Sequence, residues 1–221
     1  MTYVFRLICL SFIVLLPACD KDDGSNSMTY DLSRAAEEGD LNYLERIASD
    51  GAFNASSIEA IGALHIAIAA RNNDFASRLM EYGVDPSSVD PYTEETALHF
   101  AAAARNIEMI NVIIESGGDP CILNGFGMTP IHRAARNNDV EALRLLLVGS
   151  GEECLNKRAT KIEGRTALHL AVGMRNYEAV KVLIEYGADA YLTDDNGFNA
   201  IEIAEQEGFE ELVEVMRKTL E

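Results

Sequence analysis

The residue type in this sequence best suited to chemistry is histidine, and its four copies are not scattered. His65, His99, His132 and His169 follow one another at steps of 34, 33 and 37 residues. Imidazole is a common metal ligand and titrates near neutrality, so four of them could hold a zinc ion or exchange protons. The regular step argues otherwise. Residues that recur once per repeat sit in successive layers, and packed helical layers lie about 10 Å apart. Two such histidines cannot both approach one zinc ion to about 2 Å. No catalytic constellation accompanies them: there is no His-Glu-x-x-His, no P-loop and no serine elbow. Gly125-Phe126-Gly127 lacks the third glycine of a nucleotide loop. Asp194-Asp195-Asn196 lacks the ligand spacing of a calcium loop. The expectation is a chain with no catalytic site, no metal and no cofactor.

The four cysteines divide into two pairs of different kinds. Cys9 lies in an uncharged apolar run, Leu7 to Leu16, preceded by Arg6. Ten residues are too few to span a bilayer, but they fit the apolar region of a secretory signal. Leu16-Pro17-Ala18-Cys19 follows at once and resembles a bacterial lipobox, with Pro17 standing where a small residue is commoner. The resemblance implies a Cys19 that is lipidated and becomes the new N-terminus. Stable anchoring needs more than one acyl chain, and bacterial lipoproteins carry a diacylglyceryl group plus an amide-linked chain. Residues 1–18 then read as signal peptide and 19–29 as a polar, flexible tether. The expected place is the bacterial cell envelope, lipid-anchored and facing the periplasm. Asp20, directly after the cysteine, resembles an inner-membrane retention signal. Cys121 and Cys154 are 33 residues apart, at equivalent places in adjacent repeats. An oxidising compartment favours a disulfide, but a layer spacing of about 10 Å exceeds the Cα separation of about 7 Å that a disulfide allows. The expectation is two small, mostly buried thiols. A bond is the second reading, because an inserted loop beside Cys154 could relax the geometry.

The elements that carry the histidines are a repeat. Gly62-Ala-Leu-His65, Thr96-Ala-Leu-His99, Thr129-Pro-Ile-His132 and Thr166-Ala-Leu-His169 are copies of one phrase. Asn199-Ala-Ile-Glu202 and Tyr30-Asp-Leu-Ser33 are degraded copies. The step brackets 33 residues, a known repeat length. Each phrase is expected to open a short helix, capped by the threonine hydroxyl, with Pro130 at a first helical position. A second helix follows, with apolar residues at i, i+3 and i+4. Its sets are Leu44/Ile47/Ala48, Ala76/Leu79/Met80, Ile110/Ile113/Ile114, Leu143/Leu146/Leu147 and Val180/Leu183/Ile184. Gly51, Gly83, Gly117 and Gly187 then suit left-handed C-caps. Asp85, Asp119 and Asp189 lead into turns, and Gly127, Gly164 and Gly197 close three of them.

These phrases and their period resemble the ankyrin-repeat family over about Asp31 to Glu221. The resemblance implies an all-α repeat solenoid of helix-turn-helix units joined by β-turn fingers. It divides into about six repeats, near 30–61, 62–95, 96–128, 129–165, 166–198 and 199–221, the end ones serving as caps. Caps need a polar outer face: Glu37 and Glu38 supply it first, and Arg217 stands in the last repeat where earlier ones have apolar residues. In the family the histidine bonds to the threonine and to neighbouring backbone. The residues expected to stitch repeats are therefore His65, Thr96, His99, Thr129, His132, Thr166 and His169. The family usually has glycine between its two helices; here Arg71, Arg105, Asn138 and Arg175 stand there. Arginine adopts positive φ poorly, so a slightly different backbone is expected.

The resemblance further implies a protein-binding module that works through its fingers and the concave face of its first helices. Outward first-helix positions include Ile66, Phe100, Leu170 and Met174, with Ala69, Ala70, Ala103, Ala104 and Gly173. They either receive an apolar partner segment or pack under the fingers. Tyr92, Phe126 and Tyr191 lie on fingers and are of the type that makes hot spots. The fourth finger carries an insertion of about four residues and a basic cluster, Lys157, Arg158, Lys161 and Arg165. It is expected either to contact a partner or to pair with nearby acids such as Glu152 and Glu153. Charge narrows the partner. Lysine and arginine number 18 against 36 acidic residues, a net charge of -18. That argues against nucleic acid and against a protein lying on anionic lipid, so membrane contact is left to the anchor. It favours solubility, and it either steers a basic protein partner or is a plain surface property with no partner behind it; a monomer is expected. Two finer roles fit: an immunity protein neutralising a secreted effector such as a phospholipase, or an accessory to a periplasmic stress enzyme such as catalase.

Overall fold

The computed structural model describes residues 31–148 and 150–218. The apolar run, Cys19 and the tether lie outside the described residues. Those described form thirteen helices and, among them, no strand beyond an isolated bridge between Thr193 and Asn199. Twelve helices fall into six consecutive pairs. They are α1 Leu32–Glu38 with α2 Leu41–Ser49, α3 Ile58–Ala70 with α4 Asn73–Glu81, and α5 Ala97–Ala104 with α6 Ile107–Glu115. Then come α7 Pro130–Arg136 with α8 Val140–Leu147, α10 Ala167–Gly173 with α11 Tyr177–Glu185, and α12 Ala200–Gln206 with α13 Glu210–Lys218. The single turn α9, Glu152–Leu155, is formed by the insertion.

Helices this short are marginal alone in water, so stacking must hold them. First helices pack in file, α1 to α3, α5, α7, α10 and α12, and second helices from α4 to α13 do the same. Alanines make the inner file close: Ala63, Ala67, Ala101, Ala102, Ala134, Ala135 and Ala171 have no exposed surface. The second helices bury the i, i+3 residues expected of them, among them Leu79, Ile110, Ile113, Leu143, Leu146 and Leu183. A continuous core results, with a satellite of Met128, Ala159 and Leu170 under the third and fourth fingers. The last repeat keeps the N-terminal device with changed chemistry. Asn199 Oδ1 accepts from Glu202 N at 3.0 Å, and Glu202 Oε2 accepts from Asn199 N at 2.9 Å, a reciprocal cap. On its outer side Arg217 pairs with Glu205.

Three expectations are corrected. The phrase at Gly62 does not open a helix. α3 starts at Ile58, where Ser57 Oγ accepts from Ala60 N at 3.1 Å, so Gly62 is mid-helix and a helical extension stands where the later repeats have a finger's end. The backbone between the helices does not depart from a left-handed turn either: Arg71, Arg105, Asn138 and Arg175 have φ of 63, 50, 53 and 57°. The strain is offset by what the side chains reach. Arg71 Nη2 donates to Ala104 O and Arg105 O at 2.9 Å, and Arg105 Nη2 to Asn137 O at 2.5 Å. Carbonyls left over at the ends of α5 and α7 thus receive a guanidinium from the preceding repeat. Arg175 lies over the rings of Tyr177 and Phe209 instead. Third, Cys121 and Cys154 are joined as a disulfide, their Cα atoms 5.2 Å apart. The layer argument failed because the two places are not equivalent. Cys121 is in the chain leaving α6, while Cys154 sits in α9, which the insertion carries across the layer gap.

Candidate interaction surface

Three histidines behave alike. Each Nδ1 accepts from its threonine N–H at 3.2 Å, and the threonine hydroxyl lies 2.8 to 2.9 Å away. Each Nε2 meets a carbonyl of the next finger: Met128 O at 2.9 Å for His99, Arg165 O at 3.2 Å for His132, and Phe198 O at 3.2 Å for His169. A carbonyl can only accept, so Nε2 bears the hydrogen and the ring is neutral. Burial holds His99 and His132 at about 4, the finger carbonyls only partly opposing it; burial lowers His169 as well. Each ring, with Thr96, Thr129 or Thr166, links its helix to the next finger.

His65 is the exception. Gly62 offers no hydroxyl, and neither ring nitrogen has a hydrogen-bond partner in good geometry. Its ring stacks on Phe100, centroids 4.5 Å apart, and burial again holds it at about 4, with Asp90 and the Ser88 main chain pulling weakly the other way.

Two further sets of struts were not anticipated. Asn72, Asn106 and Asn176 reach back to the preceding repeat, Asn72 Nδ2 to Ala36 O at 2.8 Å, Asn106 Nδ2 to Ile68 O at 3.2 Å, and Asn176 Nδ2 to Ala135 O at 2.9 Å. The Arg-Asn dipeptides at 71–72, 105–106 and 175–176 were their signal in the sequence. Glu95 is buried and accepts from both Asn124 Nδ2, at 3.0 Å, and Arg133. This ties the second finger, the third finger and α7 together. Nothing in the spacing of these three residues announced it. Burial disfavours the Arg133 charge, and Glu95 opposes this only in part.

The fingers are bonded to one another by main chain. Gly125 N donates to Thr93 O at 2.7 Å, Thr160 N to Gly127 O at 3.1 Å, and Asp195 N to Glu163 O at 2.8 Å. Four fingers thereby form one edge. On it Tyr92, Phe126 and Tyr191 are exposed, at 70, 53 and 61%. The basic cluster is largely spent within this edge. Arg158 donates to Asp195 and to Gly164 O, Lys161 to Gly125 O, and Arg165 pairs with Glu163 and Asp194. Lys157 alone of the four has no such side-chain bond among the described residues. The acids used are those of the fourth and fifth fingers, not Glu152 and Glu153. Of the outward first-helix residues Leu170 is buried, Phe100 and Ile66 are half-buried against the core, and Met174, Ala69, Ala70 and Ala103 stay exposed. Among the described residues no group of histidine, cysteine or carboxylate side chains is arranged for a metal ion, and no helix is long and apolar enough to cross a membrane.

Stacked helix pairs joined by bonded fingers define the class of protein. The model for ankyrin repeats in three copies matches residues 32–124, 64–158 and 131–219. The chain belongs to the ankyrin-repeat family, whose repeats in general mediate protein–protein interaction and are not enzymes. It is similar to human ankyrin repeat and SOCS box protein 3, 42% identical over 67 residues, which are 30% of this chain and 13% of that protein. It is 36% identical over 80 residues to the Notch-regulated ankyrin repeat-containing protein of Xenopus laevis, covering 36% of this chain and 70% of that one. A match to the E3 ubiquitin-protein ligase KEG of Arabidopsis thaliana, 33% identical over 78 residues, covers 35% of this chain but 5% of the ligase. The likeness in each case is to a run of repeats.

Proposed function

We propose that this chain is a non-enzymatic, monomeric protein-binding module, held by lipid at Cys19 and facing the periplasm. The observation that carries the binding role is the finger edge: exposed rings on a support bonded by main chain. Rigid aromatic side chains contribute much contact area at little entropic cost. The lipobox-like Leu16-Pro17-Ala18-Cys19 supports the anchor and Asp20 an inner-membrane location. The Cys121–Cys154 disulfide supports an oxidising compartment. Net charge supports a basic partner.

A purification from the native cell envelope tests this, with the full chain as bait. A single stoichiometric partner is expected. If that partner is a secreted lipase that loses activity on binding, the module is an immunity protein, the reading that acidity favours. A resident enzyme such as catalase assigns an accessory role instead. Chain recovered only from the cytoplasm, with Cys19 unmodified by mass, overturns the anchored reading.

A further inference from the structure

The exposed rings are not spread evenly along the finger edge, and neither is charge. Over residues 51–70, 85–95 and 119–128 there is no lysine or arginine. The cations of the edge begin at the fourth finger, where three of four are bonded internally. The same N-terminal half carries the exposed large apolar residues Ile58, Val89, Tyr92 and Phe126, at 61, 41, 70 and 53%. Ile58 and His65 share a face of α3, being seven residues apart, and His65 faces Ser88 and Asp90 of the second finger. The helical extension thus continues the finger edge. Tyr92 and Phe126 each adjoin one end of the Gly125 N to Thr93 O bond, so their spacing is fixed. Glu94, two residues from Tyr92, and Glu59, next to Ile58, stand exposed, with no ion pair among the described residues. The other carboxylates of these segments are already engaged: Asp85 accepts from Ser87 N, Asp90 from Tyr92 N and Thr93 N, and Asp119 from Cys121 N, while Glu95 is buried against Arg133 and Asn124.

We propose that this half of the edge docks a partner-protein segment in which lysine or arginine alternates with large apolar side chains. The inference rests on the binding-module reading and names the chemistry of its partner. Apolar groups of the segment cover Tyr92 and Phe126, and its cations face Glu94 and Glu59 or lie over the Tyr92 ring. The basic fourth finger, already paired, sets the boundary of the site.

The test is selection of a random displayed peptide library on the full chain. The chain contains no tryptophan, so a recovered sequence resynthesised with one tryptophan reports binding by its own emission. The expected pool is rich in Lys/Arg and in aromatic or aliphatic residues. Its leading member should lose at least tenfold in affinity with Tyr92→Ala plus Phe126→Ala. It should lose several-fold with Glu94→Lys, and should weaken with salt. Far-UV circular dichroism checks that the variants are folded. An acidic pool, or binding indifferent to all three substitutions, overturns the proposal. Such indifferent binding, if abolished by Met174→Glu, leaves the binding-module reading standing. A pool with no enrichment overturns both.

Discussion

Lowering the pH should unfold this protein through its histidines. His65, His99 and His132 are held at about 4 in the fold, against about 6.5 in an unfolded chain. Above pH 6.5 both states are neutral at these sites and no penalty exists. As the pH falls from 6.5 towards 4, the unfolded chain takes up protons that the folded rings refuse, and stability is lost. Below 4 the loss levels off. At pH 5 the penalty is about 2 kcal/mol per ring, about 6 kcal/mol for three. That equals much of the total stability of a typical domain, about 5–15 kcal/mol. His169 acts in the same direction. Relief of carboxylate repulsion works oppositely, so the histidine part needs an internal control. Urea unfolding of the wild type and of His99→Gln plus His132→Gln, followed at 222 nm at pH 7.5 and 5.0, supplies it. The pH-dependent loss should be smaller in the double variant by about 4 kcal/mol. Equal losses would refute the neutral, buried struts.

Other outcomes follow from single features. Cys121→Ser plus Cys154→Ser should cost about 4 kcal/mol from the loop entropy of a closed segment of about 34 residues, and reductant should lower the melting temperature of the wild type alone. Glu95→Ala leaves the Arg133 guanidinium buried without its counter-charge and should destabilise by about 3 kcal/mol in urea; Glu95→Ala with Arg133→Met should recover part of that. Gly62 is mid-helix with open space where a Cβ would stand, so Gly62→Ala should stabilise by about 1 kcal/mol. Gly127 has φ of 72°, and a Cβ there would meet Thr160 N and Lys161 N at 2.8 Å; Gly127→Ala should destabilise and should speed amide exchange at Thr160.

Much of the fold was legible because it repeats. One histidine phrase at a near-constant step announced the helix pairs, and threonine, glycine and i, i+3 apolar residues placed their ends. What failed did so where a local feature departs from the repeat. Ser57 caps a longer α3 than the phrase at Gly62 suggested. The insertion folds into α9 and closes a disulfide that a strict layer spacing forbids. Arg71 and Arg105 keep positive φ while their guanidinium groups find carbonyls in the next repeat, and Arg175 while it lies over two rings, which a propensity argument cannot see. At the surface, Tyr92, Phe126, Tyr191 and Met174 are exposed, an outcome that their positions on fingers and first helix left open against inward packing. The fate of Lys161 and Arg158 depended on a main-chain ladder between fingers, and that ladder has no signature in side-chain types.

The central claim is that a partner docks on the finger edge, and site-specific photo-crosslinking tests it most directly. p-Benzoylphenylalanine replaces Phe126 in one variant and Tyr186, exposed at the end of α11, in another. Each is irradiated in the cells that make the protein. One discrete protein adduct from position 126 and none from position 186 is the result predicted. An adduct from position 186 with none from position 126 would place binding on the second-helix side and contradict the account.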